Sequence, residues 1–348
     1  MPDVNILTFN LNDASETLVA HLRLADVVYH LAGVNRPERD SEFEAVNVGL
    51  AEKLVECLDQ TGRKPTIVFT SSIQATLENP YGKSKMAAEE ILVGYGKRSG
   101  AAIHIYRLPN VFGKWCKPNY NSVVATYCFN ISHGLEITVS DPKRELELVY
   151  IDHVVSEFCR YMMDDQYRSH DVYCDIAPAF RVTLGELAEK VYAIEQIRST
   201  LLVPDTSDEF MKCLHATFIS YLEKEQLSYP LEMKEDQRGW LAELMKSQHF
   251  GQIFVSKTLP GVVRGNHYHN SKVEKFCVVQ GEAVIKFRHV LGRDVLSYQV
   301  SGERIEVVDI PPGYTHSLEN VGKGELIVIF WTNQIFDPAA SDTHFTEV

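Results

Sequence analysis

Asp26-Val27-Val28-Tyr29-His30-Leu31-Ala32 and Thr66-Ile67-Val68-Phe69-Thr70 are short, rich in β-branched residues and nearly continuously apolar, the composition of strands covered on both faces. Between them, Phe43 to Leu58 carries apolar residues at helical spacing. Strand, helix, strand in that order predicts a parallel sheet built from βαβ units. The pattern continues with a helix from about Pro80 to Lys97 and a strand at His104-Ile105-Tyr106-Arg107. Thr183 to Ile197 reads as a further helix, opened by Thr183 and Glu186 at capping-box spacing. The α/β texture ends near Leu222. From Tyr229 onward short alternating strands such as Ala283-Val284-Ile285-Lys286-Phe287-Arg288 and Glu325-Leu326-Ile327-Val328-Ile329-Phe330 alternate with glycine and proline turns, which predicts a small all-β barrel. The polar stretch Glu223 to Ser228 is the expected linker, dividing the chain into an α/β domain at 1–224 and a β domain at 225–348.

Composition agrees with two folded domains: 348 residues, 45% hydrophobic and 23% charged, are enough for two cores. No run of eighteen apolar residues occurs, and Met1-Pro2-Asp3-Val4-Asn5 has neither the basic start nor the apolar stretch of a signal peptide. A cytoplasmic protein without membrane insertion is expected. Seven cysteines with no Cys-x-x-Cys pair read as reduced thiols. A formal charge of −13 opposes a broad phosphate-binding surface, so nucleic acid is not an expected partner.

Chemistry is suggested at two places. Tyr81-Gly82-Lys83-Ser84-Lys85 sets a tyrosine and a lysine on one helix face, where an ammonium would lower the phenol pKa toward working pH and make it a proton donor and acceptor. The same spacing also fits a solvated helix face. Its context favours chemistry, because Thr70-Ser71-Ser72 ends a strand nine residues upstream, where a hydroxyl can meet a substrate carbonyl. His30-Leu31-Ala32-Gly33 ends another strand, with Asn47 in the helix that follows. The second place runs Gly261, five residues, His267-Tyr268-His269, four residues, Glu274, six residues, Gly281, and is followed by Pro311-Pro312-Gly313-Tyr314-Thr315-His316 with Asn320. On a strand, residues i and i+2 face one side, so His267 and His269 point the same way.

The first constellation, together with Arg107-Leu108-Pro109-Asn110-Val111-Phe112-Gly113 and Val149-Tyr150-Ile151-Asp152, resembles the extended short-chain dehydrogenase/reductase family. The resemblance implies a Rossmann-like fold with Tyr81 as acid and base, Lys85 tuning it and holding the nicotinamide ribose, and Ser72 orienting the carbonyl, with Ser71 as the alternative. It places the cofactor against His30, Leu31, Ala32, Gly33 and Asn47, and the sugar nucleotide against Asn110; in the segment that follows, Gly113 to Ser122, the cations and amides, Lys114 and Asn119 among them, suit a diphosphate and equally fit a surface loop. The second constellation resembles the two cupin motifs, except that Ile305 stands where the second usually begins with glycine. That resemblance implies His267, His269, Glu274 and His316 as ligands of zinc or another divalent metal. A metal-free histidine cluster is the alternative. Lys286, His289 and Tyr314 are equally suited to proton transfer.

In domain order and along essentially its whole length, the chain resembles the bacterial capsular-polysaccharide bifunctional enzymes of the CapF type. These imply C3 epimerisation of a UDP-linked 2-acetamido-2,6-dideoxy-4-hexulose in the cupin domain. NADPH-dependent reduction of the C4 ketone to a UDP-N-acetyl-6-deoxytalose follows, in an enzyme expected to be a homodimer. One feature departs from the reductase pattern: the first glycine is Gly33, so the glycine-rich turn that holds the cofactor pyrophosphate is missing from these residues, and Leu7 to Asp13 reads as a later strand. The domain is therefore expected to be incomplete at its N-terminus and to bind NADPH weakly as given. Two rival readings are an epimerase whose α/β half is a scaffold and a non-enzymatic sugar-nucleotide sensor.

Overall fold

The computed structural model describes residues 4–10, 12–163 and 171–348. It divides into two compact units, one formed by Met1–Val191 with Cys213–Tyr221 and the other by Tyr192–Lys212 with Leu222–Val348.

The first unit is a Rossmann-like α/β layer structure. Its main sheet is parallel, in the order Val27–His30, Thr66–Ser72, Ile103–Leu108 and Tyr173–Cys174. Successive residues of the central strand are buried on opposite faces. Ile67 and Phe69 join Leu54, Leu58, Leu92 and Ile105 in one core, whereas Val68 joins Tyr106, Val149, Phe158 and Tyr161 in another. That double burial explains why the strand is apolar throughout instead of alternating. A three-stranded sheet of Asn110–Phe112, Glu145–Tyr150 and Ala179–Thr183 lies beside it in sequence.

The helix Pro80–Ser99 starts where local chemistry dictates. Asn79 accepts the Gly82 amide at 2.7 Å, Pro80 occupies the first turn, and Gly100 closes the end at φ 79°. Thr183 and Glu186 exchange the expected capping-box bonds, with Glu186 accepting the Thr183 amide at 2.8 Å and Thr183 accepting the Glu186 amide at 3.2 Å. Two expectations are corrected. Residues 4–10 carry no strand and are almost wholly exposed, while Leu11 lies outside the described residues; although Leu7 and Phe9 alternate as a strand face would, no neighbouring strand pairs with the described part of the segment. The helix read from Phe43 begins as a π-helix, Phe43–Val48, before becoming α-helical at Gly49–Thr61. The wider turn surrounds Asn47, whose side chain bonds the Val34 backbone.

The second unit is all-β over Met233–Phe345, apart from one short 3-10 turn, Pro338–Ala340. Six antiparallel strands run in the order Val307–Ile310, Glu274–Gln280, Leu326–Thr332, Gly251–Thr258, Gly239–Ser247 and Met233–Asp236. Five more form Val295–Ser301, Glu282–His289, Tyr314–Asn320, Val263–Tyr268 and His344–Phe345. Phe276, Val278 and Phe330 of the first sheet and Ile285, Phe287 and Leu318 of the second share one core. The segment read as a linker contains a 3-10 turn, Lys224–Gln226, closed by a capping box between Glu223 and Gln226.

A β-bulge sets the register that matters most. Gly265 pairs with Ser317 and His267 with His316, so Asn266 is an extra residue in its strand, at φ 58°. Without the bulge His316 would stand opposite Asn266. A left-handed backbone costs a β-branched residue about 1–2 kcal/mol. Asn266→Val is therefore expected to be less stable than Asn266→Gly by roughly that amount, measured by urea unfolding; equal stabilities would contradict the bulge.

Candidate functional site

In the α/β unit the sheet brings Ser72, Tyr81 and Lys85 together. Ser72 ends its strand, accepts the Gln74 amide at 3.2 Å and bonds the Tyr81 side chain. Ser71 faces the other way, donating a short hydrogen bond to the fully buried carboxylate of Glu89. Arg107 closes that network with Nη2 at 2.6 Å from Glu89. Strand parity thus separates the two serines: Ser72 meets the tyrosine, and Ser71 anchors the strand to the helix. Gly82 allows the approach, because a Cβ there would stand 2.2 Å from the Gln74 carbonyl oxygen.

Lys85 is buried and donates to the Thr70 carbonyl at 2.7 Å, with its ammonium 4.6 Å from the Phe69 ring centre. Burial pulls it down to about 8, against the opposing effect of Glu89. The expected depression of Tyr81 is absent. Burial raises the phenol above its ordinary value, and the Ser72 bond only partly offsets this. The phenol consequently holds its proton at neutral pH, as a donor must.

Of the residues expected at the cofactor, Gly33 lies beside Asn47 and Lys85: a Cβ on it would be 2.8 Å from Asn47 Oδ1 and 3.7 Å from Lys85 Nζ. Asn47 also donates to Ser84 Oγ at 2.9 Å, tying that loop to the Tyr81 helix. Leu31 and Ala32 are exposed. His30 is buried against Phe69, ring centres 5.0 Å apart, and its Nε2 has no hydrogen-bond partner. Among the residues expected at the sugar nucleotide, Asn110 is exposed and bonds the Glu147 carbonyl at 3.2 Å. Lys114 is paired with Asp152 at 2.6 Å, which balances its charge, and Asn119 bonds Asn130 at 3.2 Å.

In the β unit, His267, His269, Glu274 and His316 present ligand atoms that all lie within 4.8 Å of one another. His267 and His316 come from one sheet and Glu274 from the first position of a strand in the other, while His269 follows the end of its strand. Glu274 Oε2 lies 3.1 Å from His316 Nε2 and 3.5 Å from His269 Nε2. These three atoms are buried and make no hydrogen bond of acceptable geometry. Burial pushes Glu274 up, but the His269 and His316 imidazoles together hold it below the usual carboxylate range. Burial, then the neighbouring imidazoles, lowers His267 to about 4, which leaves it neutral and able to offer a lone pair. The set fits a divalent cation bound by imidazole and carboxylate.

Register also sorts the proton-transfer residues. Phe287 pairs with His316 and His289 with Tyr314, two residues along, so His289 and Tyr314 share the face that carries His316. Lys286 pairs with Ser317 on the opposite face, 3.4 Å from Glu319.

Residues 2–173 match the NAD dependent epimerase/dehydratase family, and residues 234–344 match the polysaccharide biosynthesis C-terminal domain. The chain is 39% identical over 345 residues to the UDP-2-acetamido-2,6-beta-L-arabino-hexul-4-ose reductase of Pseudomonas aeruginosa, covering 99% of this chain and 92% of that protein. The chain belongs to the CapF-like family of UDP-sugar reductases and epimerases. The crystal structure of the capsular polysaccharide assembling protein CapF from Staphylococcus aureus agrees, with a TM-score of 0.89 and 44% identity over 97% of this chain and 91% of that one. Bacillus cereus UDP-glucuronic acid 4-epimerase, at 16% identity and a TM-score of 0.51 over 62% of this chain and 79% of its own, shares the fold of the CapF-like α/β unit.

His30 gives this site a pH signature. Burial, with Lys85 adding to it, lowers its pKa to about 4, whereas an unfolded histidine titrates near about 6.5. Between those values the unfolded chain binds the extra proton, so stability is present above pH ~6.5 and is lost as pH falls toward ~4, by up to about 3 kcal/mol. The urea stability of His30→Gln is expected to lose this part of the acid dependence. A pH profile parallel to that of the original chain would show that His30 titrates normally.

Proposed function

We propose that the chain is a bifunctional nucleotide-sugar enzyme of capsular or surface polysaccharide synthesis, working in the cytoplasm on a UDP-2-acetamido-2,6-dideoxy-4-hexulose. The β unit, read as a cupin barrel in a homodimeric enzyme, epimerises C3; the α/β unit then reduces C4, giving UDP-N-acetyl-6-deoxytalose. The observation that carries the reading is the bond between Ser72 and a protonated Tyr81, with Lys85 one helical turn on, in a chain 39% identical to a UDP-hexulose reductase.

In the reductive step, NADPH supplies hydride to C4 when bound. Ser72 donates a hydrogen bond to the ketone oxygen, and Tyr81 delivers the proton that turns the developing alkoxide into a hydroxyl. Lys85, near Gly33 and Asn47, is placed for the nicotinamide ribose. Asn110, Lys114 and Asn119 are proposed to meet the sugar nucleotide, which requires Lys114 to exchange Asp152 for a phosphate.

In the epimerising step, the C4 ketone makes the C3 hydrogen acidic, so that a proton can leave one face and return to the other. His267, His269, Glu274 and His316 would hold zinc or another divalent cation, which supplies Lewis acidity toward the ketone. His289 and Tyr314 stand on the same sheet face as His316 and are the groups proposed to move the C3 proton.

The two activities are expected to separate. With the glycine-rich turn supplied, Tyr81→Phe should slow ketone reduction by roughly 10²–10⁴-fold, the usual worth of a positioned general acid, while solvent deuterium still exchanges into C3. His267→Ala should do the opposite, losing bound metal and C3 exchange while a supplied C3-epimerised ketone is still reduced. Equal loss of both reactions in either variant would argue for one shared site.

A further inference from the structure

A metal-binding imidazole works only when its far nitrogen carries the proton, leaving the near one its lone pair, and a backbone carbonyl on the far side enforces this. Two of the three histidines find that carbonyl within their own strand. His267 bonds the Gly265 backbone, and His316 Nδ1 lies 3.4 Å from the Tyr314 carbonyl. His269 has none nearby. Its Nδ1 donates a short hydrogen bond to the carbonyl of Asp342, 73 residues away near the C-terminus. A carbonyl can only accept, so the proton is on Nδ1 and Nε2 is left facing Glu274.

The Asp342 side chain holds the same junction from the other direction. Its carboxylate accepts the amides of Asn270 at 2.9 Å, Ser271 at 2.8 Å and Lys272 at 3.3 Å, and the Ser271 hydroxyl at 2.9 Å. This is the turn between His269 and Glu274. The residues that follow are tied down as well. His344–Phe345 pairs with Tyr268 and His267, the Thr346 amide donates to the Asn266 carbonyl at 3.0 Å, and Arg288 donates to the Glu347 carbonyl at 2.8 Å. The strap therefore joins the bulge, two of the histidines and the turn leading to Glu274.

We propose that the C-terminal strap is part of the metal site, with Asp342 as a positioning residue that fixes the tautomer of His269 through its carbonyl and the His269-to-Glu274 turn through its carboxylate. The inference rests on reading the four-residue cluster as a metal centre. It adds that the affinity of that centre is set by seven residues outside both histidine motifs.

The test is zinc affinity, measured by competition with a chromophoric chelator on the original chain and on Asp342→Ala, Asp342→Asn, His267→Ala and a chain ending at Ser341. Asp342→Ala and the shortened chain are expected to bind zinc about 10- to 100-fold more weakly. Asp342→Asn, whose amide oxygen still accepts the turn amides, should retain most of the affinity. Long-range ¹H–¹⁵N spectra of the metal-free protein supply a readout that stability alone would not move: His269 should be protonated at Nδ1 in the original chain and in Asp342→Ala, which keeps the backbone carbonyl, and divided between tautomers in the chain ending at Ser341. Loss of zinc in His267→Ala with unchanged affinity in Asp342→Ala and in the shortened chain would overturn the inference alone. Zinc retained at full affinity in His267→Ala would overturn the metal reading and the inference with it.

Discussion

Three imidazoles and a carboxylate, half-buried at His267 and buried at the other three, lie within 4.8 Å of one another and are the constraint around which the β unit is arranged. Burying a carboxylate is costly unless positive charge or hydrogen-bond donors face it. Here the nearest polar atoms are the Nε2 nitrogens of His316 and His269 at 3.1 and 3.5 Å, and neither makes a hydrogen bond to it. The surrounding backbone bears the consequences. A bulge at Asn266 turns His267 to face His316, Glu274 begins its strand rather than ending it, and the C-terminal residues return to hold His269. Such an arrangement sacrifices a regular ladder at one edge to direct four lone pairs at one point.

The α/β unit solves a different problem, how to keep a phenol and a hydroxyl in register across a strand and a helix. A second buried charge does it. Glu89 has no exposed surface, is bonded by Ser71, and is clamped through both oxygens by Arg107. Removing one partner of such a pair would leave the other charge buried and unpaired, so strand and helix cannot slide independently. In both units a charged side chain outside the reacting set holds reacting groups in place: the buried Glu89 in one and the half-buried Asp342 in the other.

Much of this was legible in the sequence. A strand buried on both faces must be apolar at every position, which is why Thr66 to Thr70 could be read, and Thr183 with Glu186 announced a helix start through local chemistry alone. The candidate metal residues were legible through the resemblance of their spacing to the two cupin motifs. What was not legible depends on contacts between distant residues. The resemblance favours Ser72, but the bond that turns Ser71 to Glu89 is not visible in the sequence, nor is the register that puts Lys286 on the sheet face away from His316. Asp342 carries no motif, and its role follows only from where the chain returns. The direction of the Tyr81 shift was misread because its helix neighbour Lys85 turns toward the Thr70 carbonyl, leaving burial to dominate.

The central claim is that one chain both epimerises C3 and reduces C4 of the same UDP-linked ketone. The most direct measurement is to run the complete reaction in D₂O with NADPH deuterated at its transferable position and to locate the label in the product by NMR. The account predicts solvent-derived deuterium at C3 and cofactor-derived deuterium at C4, with inverted configuration at C3. A product labelled only at C4, with C3 configuration and hydrogen retained from the substrate, would contradict it.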